Sequence, residues 1–223
     1  MKILLVADIH GEIENLSKLI HGIKDDVDLI ICPGDFTDIF NTPEGFSQLD
    51  IAELIIHKLL SLKKPVLCVP GNHDPYEIID IFEEYGVNLH GCVKTFNNID
   101  FVGFGGAETP FHTKFEPSES EIEDCFKKIE PNIKNRFVLV THNPAFNTRF
   151  DEIPNNKHVG SKAIRSFIEN KKPILAISAH IHERGGIDSL GDTKMFYPGP
   201  IFEGYYGIIE INENVNCEIK KVE

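Results

Sequence analysis

The chain has 223 residues, a 41% hydrophobic fraction and a net charge of −13. That length and apolar content fit one large α/β domain over residues 1–223 with a substantial core. The acidic balance, in which Arg136, Arg149, Arg165 and Arg184 are the only arginines, argues against an extended nucleic-acid footprint, which needs a basic face.

The first apolar run, Lys2 to Ala7, reads as a buried strand and leads into Asp8-Ile9-His10. A helical stripe of Leu16, Leu19, Ile20 and Ile23 follows. The next strand, Asp28 to Cys32, breaks at Pro33-Gly34 and presents Asp35 at its carboxyl end, the edge where open α/β sheets bind ligands. After the loop from Asn41 to Gly45, Leu54, Ile55, Leu59 and Leu62 give a second stripe. Pro65 to Pro70 is a third strand, ending in Gly71-Asn72-His73-Asp74, and Ile78, Ile79 and Phe82 mark a third helix. This alternation indicates a partly parallel sheet with crossover helices.

The middle of the chain changes character. Cys92 to Phe104 reads as a hairpin turning at Asn97-Asn98, because Asn tolerates positive φ. Ser118 and Glu121 form a capping box for a helix running to about Ile129. Arg136 to Thr141 is a strand ending at His142. The irregular stretch 143–160 is long for a plain connection, which favours a functional lid or wall. Ser161 caps a helix to Glu169, and Pro173 to Ala179 is a strand ending at His180-Ile181-His182. Four strands close the chain, at Ile187–Leu190, Thr193–Tyr197, Tyr205–Ile211 and Val215–Lys221.

The five cysteines are scattered, with no Cys-x-x-Cys, which indicates a reducing, cytoplasmic setting without disulfides or thiolate metal sites. The N-terminal apolar run is too short for a signal-peptide core. No run approaches the roughly 20 apolar residues of a membrane helix.

Five strand ends thus carry hard oxygen or imidazole donors: Asp8, His10, Asp35, Asn72, His142, His180 and His182. They are too many for one ion. A carboxylate can bridge two cations, so Asp35 is the natural shared ligand of a two-metal site. Imidazole and carboxylate without thiolate suit Mn²⁺, Fe, Zn²⁺, Co²⁺ or Ni²⁺.

Asp8-x-His10, Gly34-Asp35-x-x-Asp38, Gly71-Asn72-His73-Asp74, His142 and His180-x-His182, in that order and at those strand ends, resemble the calcineurin-like metallophosphoesterase family. His158-Val159-Gly160-Ser161 and Tyr197-Pro198-Gly199-Pro200 look like its small-phosphodiesterase branch. The resemblance implies a four-layer α/β/β/α sandwich of two mixed sheets flanked by helices. It also implies two divalent ions, one among Asp8, His10, Asp35 and His182, the other among Asp35, Asn72, His142 and His180. The expected reaction is hydrolysis of a small phosphate ester, a diester above all, by a hydroxide shared between the ions. His73 is the expected donor to the phosphate or leaving group, with Asp38 holding its other nitrogen. A monoesterase, a nuclease of short strands and a non-catalytic scaffold are the alternatives on the same fold.

Several other residues carry weaker expectations. Asp74 reads as the start of the helix after Pro75, and His21, His57 and His90 as ordinary residues, His90 without a visible partner. His112 is a candidate for substrate contact, and His158 either for substrate contact or for structuring the turn before Ser161; Arg149 and Arg184 read as solvated charges, with a phosphate contact as the alternative. The chain departs from the family pattern at Ala179, where Gly is usual, and at Tyr197, where Asn commonly precedes Pro-Gly. Ile39 and Pro70 stand where phosphoprotein phosphatases of this superfamily carry arginine.

Overall fold

The computed structural model describes residues 1–23 and 26–222. The first sheet combines β1 (Lys2–Leu5), β2 (Leu29–Cys32), β3 (Val66–Cys68), β12 (Tyr205–Ile211) and β13 (Val215–Lys221), in the order β13-β12-β1-β2-β3. β1, β2 and β3 are parallel, whereas β12 runs antiparallel to both β1 and β13. The second sheet has β4 (Val93–Phe96), β5 (Ile99–Phe104), β6 (Phe137–Thr141), β9 (Leu175–Ile177), β10 (Gly186–Leu190) and β11 (Thr193–Tyr197). Its order is β10-β11-β9-β6-β5-β4, with four parallel central strands and an antiparallel strand at each edge.

Alternation along the strands builds three apolar layers. Ile3, Leu5, Ile31, Val138, Val140 and Phe196 meet between the sheets. Leu4, Val6, Ile30 and Cys32, on the other face of the first sheet, pack under α1 (Ile13–Gly22), α2 (Gln48–Leu60) and α3 (Ile78–Glu84). Leu139, Ala176 and Met195 do the same under α4 (Glu119–Ile129) and α5 (Lys162–Lys171). The result is the α/β/β/α arrangement, two mixed sheets with helices outside.

Local chemistry sets the helix starts. Ser47 with Asp50 and Ser118 with Glu121 form complete capping boxes, and Ser161 accepts from the Ile164 N–H. Asn97 and Asn98 take positive φ in the β4–β5 turn. One stripe differs from expectation: α2 buries Ile51, Ala52, Ile55, Ile56 and Leu59, whereas Leu54 is 42% exposed. Leu54 lies about 100° around the helix from Ile55, and Ile51, Ala52 and Ile56 join Ile55 and Leu59 on the buried face instead.

The stretch 143–160 is a wall pinned from inside. The carboxylate of Asp151, fully buried, accepts from the N–H groups of Asn147, Thr148 and Gly160. It also holds His158 Nδ1 at 2.8 Å. The short strands β7 (Glu152–Ile153) and β8 (Lys157–His158) pair on its outer side.

Candidate metal centre

The loops leaving β1, β2, β3, β6 and β9 meet at one end of the sandwich. Four residues there, Asp8, His10, Asp35 and His180, have left-handed backbone (φ of 48°, 49°, 53° and 78°). For residues other than glycine each costs on the order of 1–3 kcal/mol, a strain characteristic of sites where the surroundings dictate the backbone. Close approach explains the neighbouring glycines. A Cβ on Gly71 would lie 2.0 Å from Asp35 Oδ1, and one on Gly34 2.6 Å from His142 Nδ1.

Two donor groups form around Asp35. One contains Asp8, His10, Asp35 and His182, the other Asp35, His142 and His180, the ligand atoms of each lying within 4.8 Å of one another. Asp35 Oδ2 is 3.3 Å from both His10 Nε2 and His142 Nε2, while Oδ1 accepts from the His73 N–H at 2.9 Å. Asn72 Oδ1 sits 3.0 Å from His142 Nε2, on the second group. The second group is the deeper: Asp35, Asn72 and His142 are at most 1% exposed, whereas the His182 side chain is 31% exposed.

The donor set fits divalent cations. His142 Nδ1 faces the Pro33 carbonyl at 2.9 Å, so Nε2 is the atom turned toward Asp35 and Asn72, and all three neighbours are acceptors. His10 Nε2 and His182 Nε2 face each other at 3.2 Å beside the same carboxylates. Without a metal these contacts demand protons. Burial opposes charge on His10 and His142, but Asp35 outweighs it and lifts each to about 9. Burial, reinforced by His142, presses His180 down to about 3.

A pH dependence follows from these two raised values. At pH 7 metal-free His10 and His142 are protonated, and a metal needs both lone pairs, so loading should release protons and weaken as pH falls below about 9. Calorimetry in buffers of different ionisation enthalpy would read the release; uptake without protons would contradict this charge state.

His73 and Asp38 stand at the mouth, their side chains 19% and 24% exposed, with His73 Nδ1 3.1 Å from Asp38 Oδ1. The His73 ring meets His10 edge-on at 4.7 Å and lies 5.5 Å from Phe40, which is 70% exposed. Burial, opposed by Asp35 and aided by His10, holds His73 below the usual imidazole value.

The remaining sequence candidates lie elsewhere. Asp74 does not start α3, whose N-cap is Glu77; its buried carboxylate accepts from the N–H groups of Phe36, Thr37 and Gly71 and from the Thr37 hydroxyl. His90 does have a partner, because its Nδ1 accepts from the Gly105 N–H. Arg149 donates to the Gly185 carbonyl, and Arg184 to the Glu152 carbonyl, so both brace the 143–160 wall. His112 and His158 line a groove whose lining includes none of the donor residues.

Tyr197 acquires a role that its sequence position concealed. Its hydroxyl, fully buried, donates to Asp8 Oδ2 at 2.6 Å, while the His180 N–H donates to Oδ1 at 3.1 Å. Partners of this kind aim a ligand at its metal. Tyr197→Phe should therefore weaken metal binding at the Asp8 group by roughly 10–100-fold. A competition titration with a chelator would measure it, and unchanged affinity would show that packing alone aims Asp8.

Three comparisons extend the geometry. Protein MJ1162 of Methanocaldococcus jannaschii is 38% identical over 207 residues, covering 90% of this chain and 88% of that protein. Among solved structures, TT1561 of Thermus thermophilus matches with a TM-score of 0.76 at 18% identity, covering 100% of this chain and 99% of that one. The phosphopantetheinyl hydrolase PptH of Mycobacterium tuberculosis matches at 0.67 and 13% identity, over 90% of each chain. Both are likenesses of fold. Residues 1–184, spanning every candidate metal ligand from Asp8 to His182, match the calcineurin-like phosphoesterase family, and the chain belongs to that family.

Proposed function

We propose that the chain is a metal-dependent hydrolase of small phosphodiesters, acting as one domain over residues 1–223. The observation that carries this reading is Asp35, whose Oδ2 lies at 3.3 Å from a histidine of each donor group. Asp8, His10, Asp35 and His182 would hold one divalent ion, and Asp35, Asn72, His142 and His180 the other. Such ions supply Lewis acidity and an activated water. The chain's own groups orient the ester: Asp38 takes the Nδ1 side of His73, leaving Nε2 for the phosphate oxygens or the leaving group. Support for one domain comes from β12 and β13, which complete the sheet that β1 begins. All five cysteines are free, in keeping with a reducing cytoplasm, and no helix among the described residues is long and apolar enough to cross a membrane.

Charge favours diesters over monoesters. Two divalent ions, two carboxylates and a hydroxide leave about +1, which balances one negative charge better than two. Arg149 donates to the Gly185 carbonyl and Arg184 to the Glu152 carbonyl, contacts that hold both guanidinium groups against the wall and its neighbouring loop rather than free to clamp a phosphate. A nuclease would need a basic face, against the net charge of −13. A non-catalytic scaffold would have no use for the complete donor set with His73.

The test has two parts. Elemental analysis after reconstitution with Mn²⁺ should find two ions per chain, with Asp35→Ala impairing both and His10→Ala chiefly one; a single ion in the unaltered protein would overturn the dinuclear reading. Matched aryl phosphodiester and monoester substrates should then show the higher kcat/KM for the diester. A tenfold preference for the monoester, about 1.4 kcal/mol in the transition state, would replace the diester reading with a monoesterase.

A further inference from the structure

Among the described residues, the exposed large hydrophobic side chains are unevenly placed. The aromatic ones are Phe40, Phe46, Tyr76 and Phe111, between 56% and 73% exposed. Phe40 and Phe46 lie in the loop after β2, Tyr76 in the loop after β3 and Phe111 in the loop after β5. Since β2 and β3 run parallel to β1, and β5 parallel to β6, all three loops leave at the end of the sandwich that carries the donor residues. The aliphatic ones, Leu54, Ile187 and Ile219, lie on α2, β10 and β13 instead. Single exposed apolar side chains are ordinary, but exposed rings confined to the end that carries a polar site call for an explanation.

Phe40 is the ring that reaches the site. Its N–H donates to Asp38 Oδ1 at 2.9 Å, the same oxygen that faces His73 Nδ1 at 3.1 Å. That turn places the Phe40 ring edge-on to the His73 ring, with 5.5 Å between centroids. His73 also meets His10, at 4.7 Å, and the His10 side chain is only 11% exposed. His73 thus has a proposed metal ligand as its inner neighbour and Phe40 as its outer one. An organic arm that leaves a phosphate at His73 toward solvent passes Phe40. Phe202 is half-buried against His10 and His182, at 5.6 and 4.9 Å, so its ring is committed to the ligands.

The surroundings define the chemistry of that arm. Residues 39–43, Ile-Phe-Asn-Thr-Pro, carry no charge, so this part of the mouth offers apolar contact and no counter-ion. An exposed ring gains by covering its face with another apolar group, and with a second ring it gains edge or stacking contacts as well.

We propose that Phe40 is a specificity-determining residue, which receives an uncharged, ring-bearing arm of the ester while the metal centre holds the phosphate. The assignment deepens the phosphoesterase reading and rests on it for the position of the phosphate.

The experiment measures, by calorimetry on the metal-loaded protein, the binding of dimethylphosphinate and of benzyl(methyl)phosphinate. Each carries one negative charge, as a diester does, and has no ester bond to hydrolyse. The benzyl compound should bind about tenfold more tightly, and Phe40→Ala should bring that ratio down to about twofold. Phe40→Leu, which keeps an apolar side chain, should retain an intermediate ratio. Leu54→Ala removes an exposed apolar side chain outside the rim and should leave the ratio unchanged. A ratio moves only when the arm is read, so a general loosening of the loop, which weakens both ligands alike, does not imitate this result. A ratio near one in the unaltered protein, or a tenfold ratio that survives Phe40→Ala, would overturn the assignment and leave the metal centre intact. If neither phosphinate binds, the phosphoesterase reading fails, and Phe40 is judged with benzyl alcohol, the free arm. Shifts of the Phe40 ring resonances on adding it would support the ring-binding surface, and their absence would overturn it.

Discussion

His73→Ala should retain both metals and lose on the order of 10²–10⁴ in turnover, the range of a general acid or transition-state donor. The separation follows from geometry. Of the proposed ligands, the His73 ring touches only His10, edge-on, and its Nδ1 is directed to Asp38 rather than to Asp35. Because Asp38 takes the Nδ1 proton, donation from Nε2 requires the charged imidazolium. Burial disfavours that form in the free protein, opposed by Asp35 and Asp38. An arriving phosphate anion adds a third negative neighbour and shifts the balance toward protonation. Asp38→Asn removes one of those three charges and should cost less than His73→Ala, in the same direction. Leaving-group dependence distinguishes the two donor roles. A general acid matters more for an alkoxide than for 4-nitrophenolate, so the Ala variant should lose more on alkyl esters. An equal loss on both would assign His73 to the equatorial oxygens, and near-normal turnover on every substrate would remove it from the mechanism.

The parts of the centre legible in the sequence are those that depend on strand ends. An apolar run of the right length, followed by Asp, Asn or His, needs only the parallel sheet to place its donor, and Asp8, Asp35, His142 and His180 all follow that logic. The supporting residues were not legible, because their partners are backbone groups or distant side chains. Tyr197 meets Asp8 across 189 residues, and Asp74 meets Thr37 across 37. Asp151 organises a loop whose composition reads only as irregular. Leu54 shows a related limit: several apolar residues on one helix admit two stripes, and packing against the sheet selects one.

Asp74→Ala should be the most destabilising single change near the centre, by about 3–5 kcal/mol. Its carboxylate fastens the loop after β3 to the loop after β2. Oδ1 accepts from the Thr37 N–H at 2.9 Å and hydroxyl at 3.0 Å, and Oδ2 from the Phe36 and Gly71 N–H groups at 3.2 and 2.8 Å. Truncation strands three backbone donors, each worth roughly 1–3 kcal/mol when left unpaired, and partial relaxation brings the total below their sum. For a domain of this size, 1 kcal/mol moves the melting temperature by about 2–4 °C, so a fall of about 10 °C is expected. The same change should loosen metal binding, since Asp35 and Asn72 sit on the two loops that Asp74 joins. Asp74→Asn is the sharper control. An amide keeps one acceptor but turns an N–H₂ toward either Thr37 or the Phe36 and Gly71 pair, donor against donor. It should therefore destabilise as well, despite its matched shape. An Asn variant that melts with the unaltered protein would show that shape, rather than these hydrogen bonds, aligns the two loops.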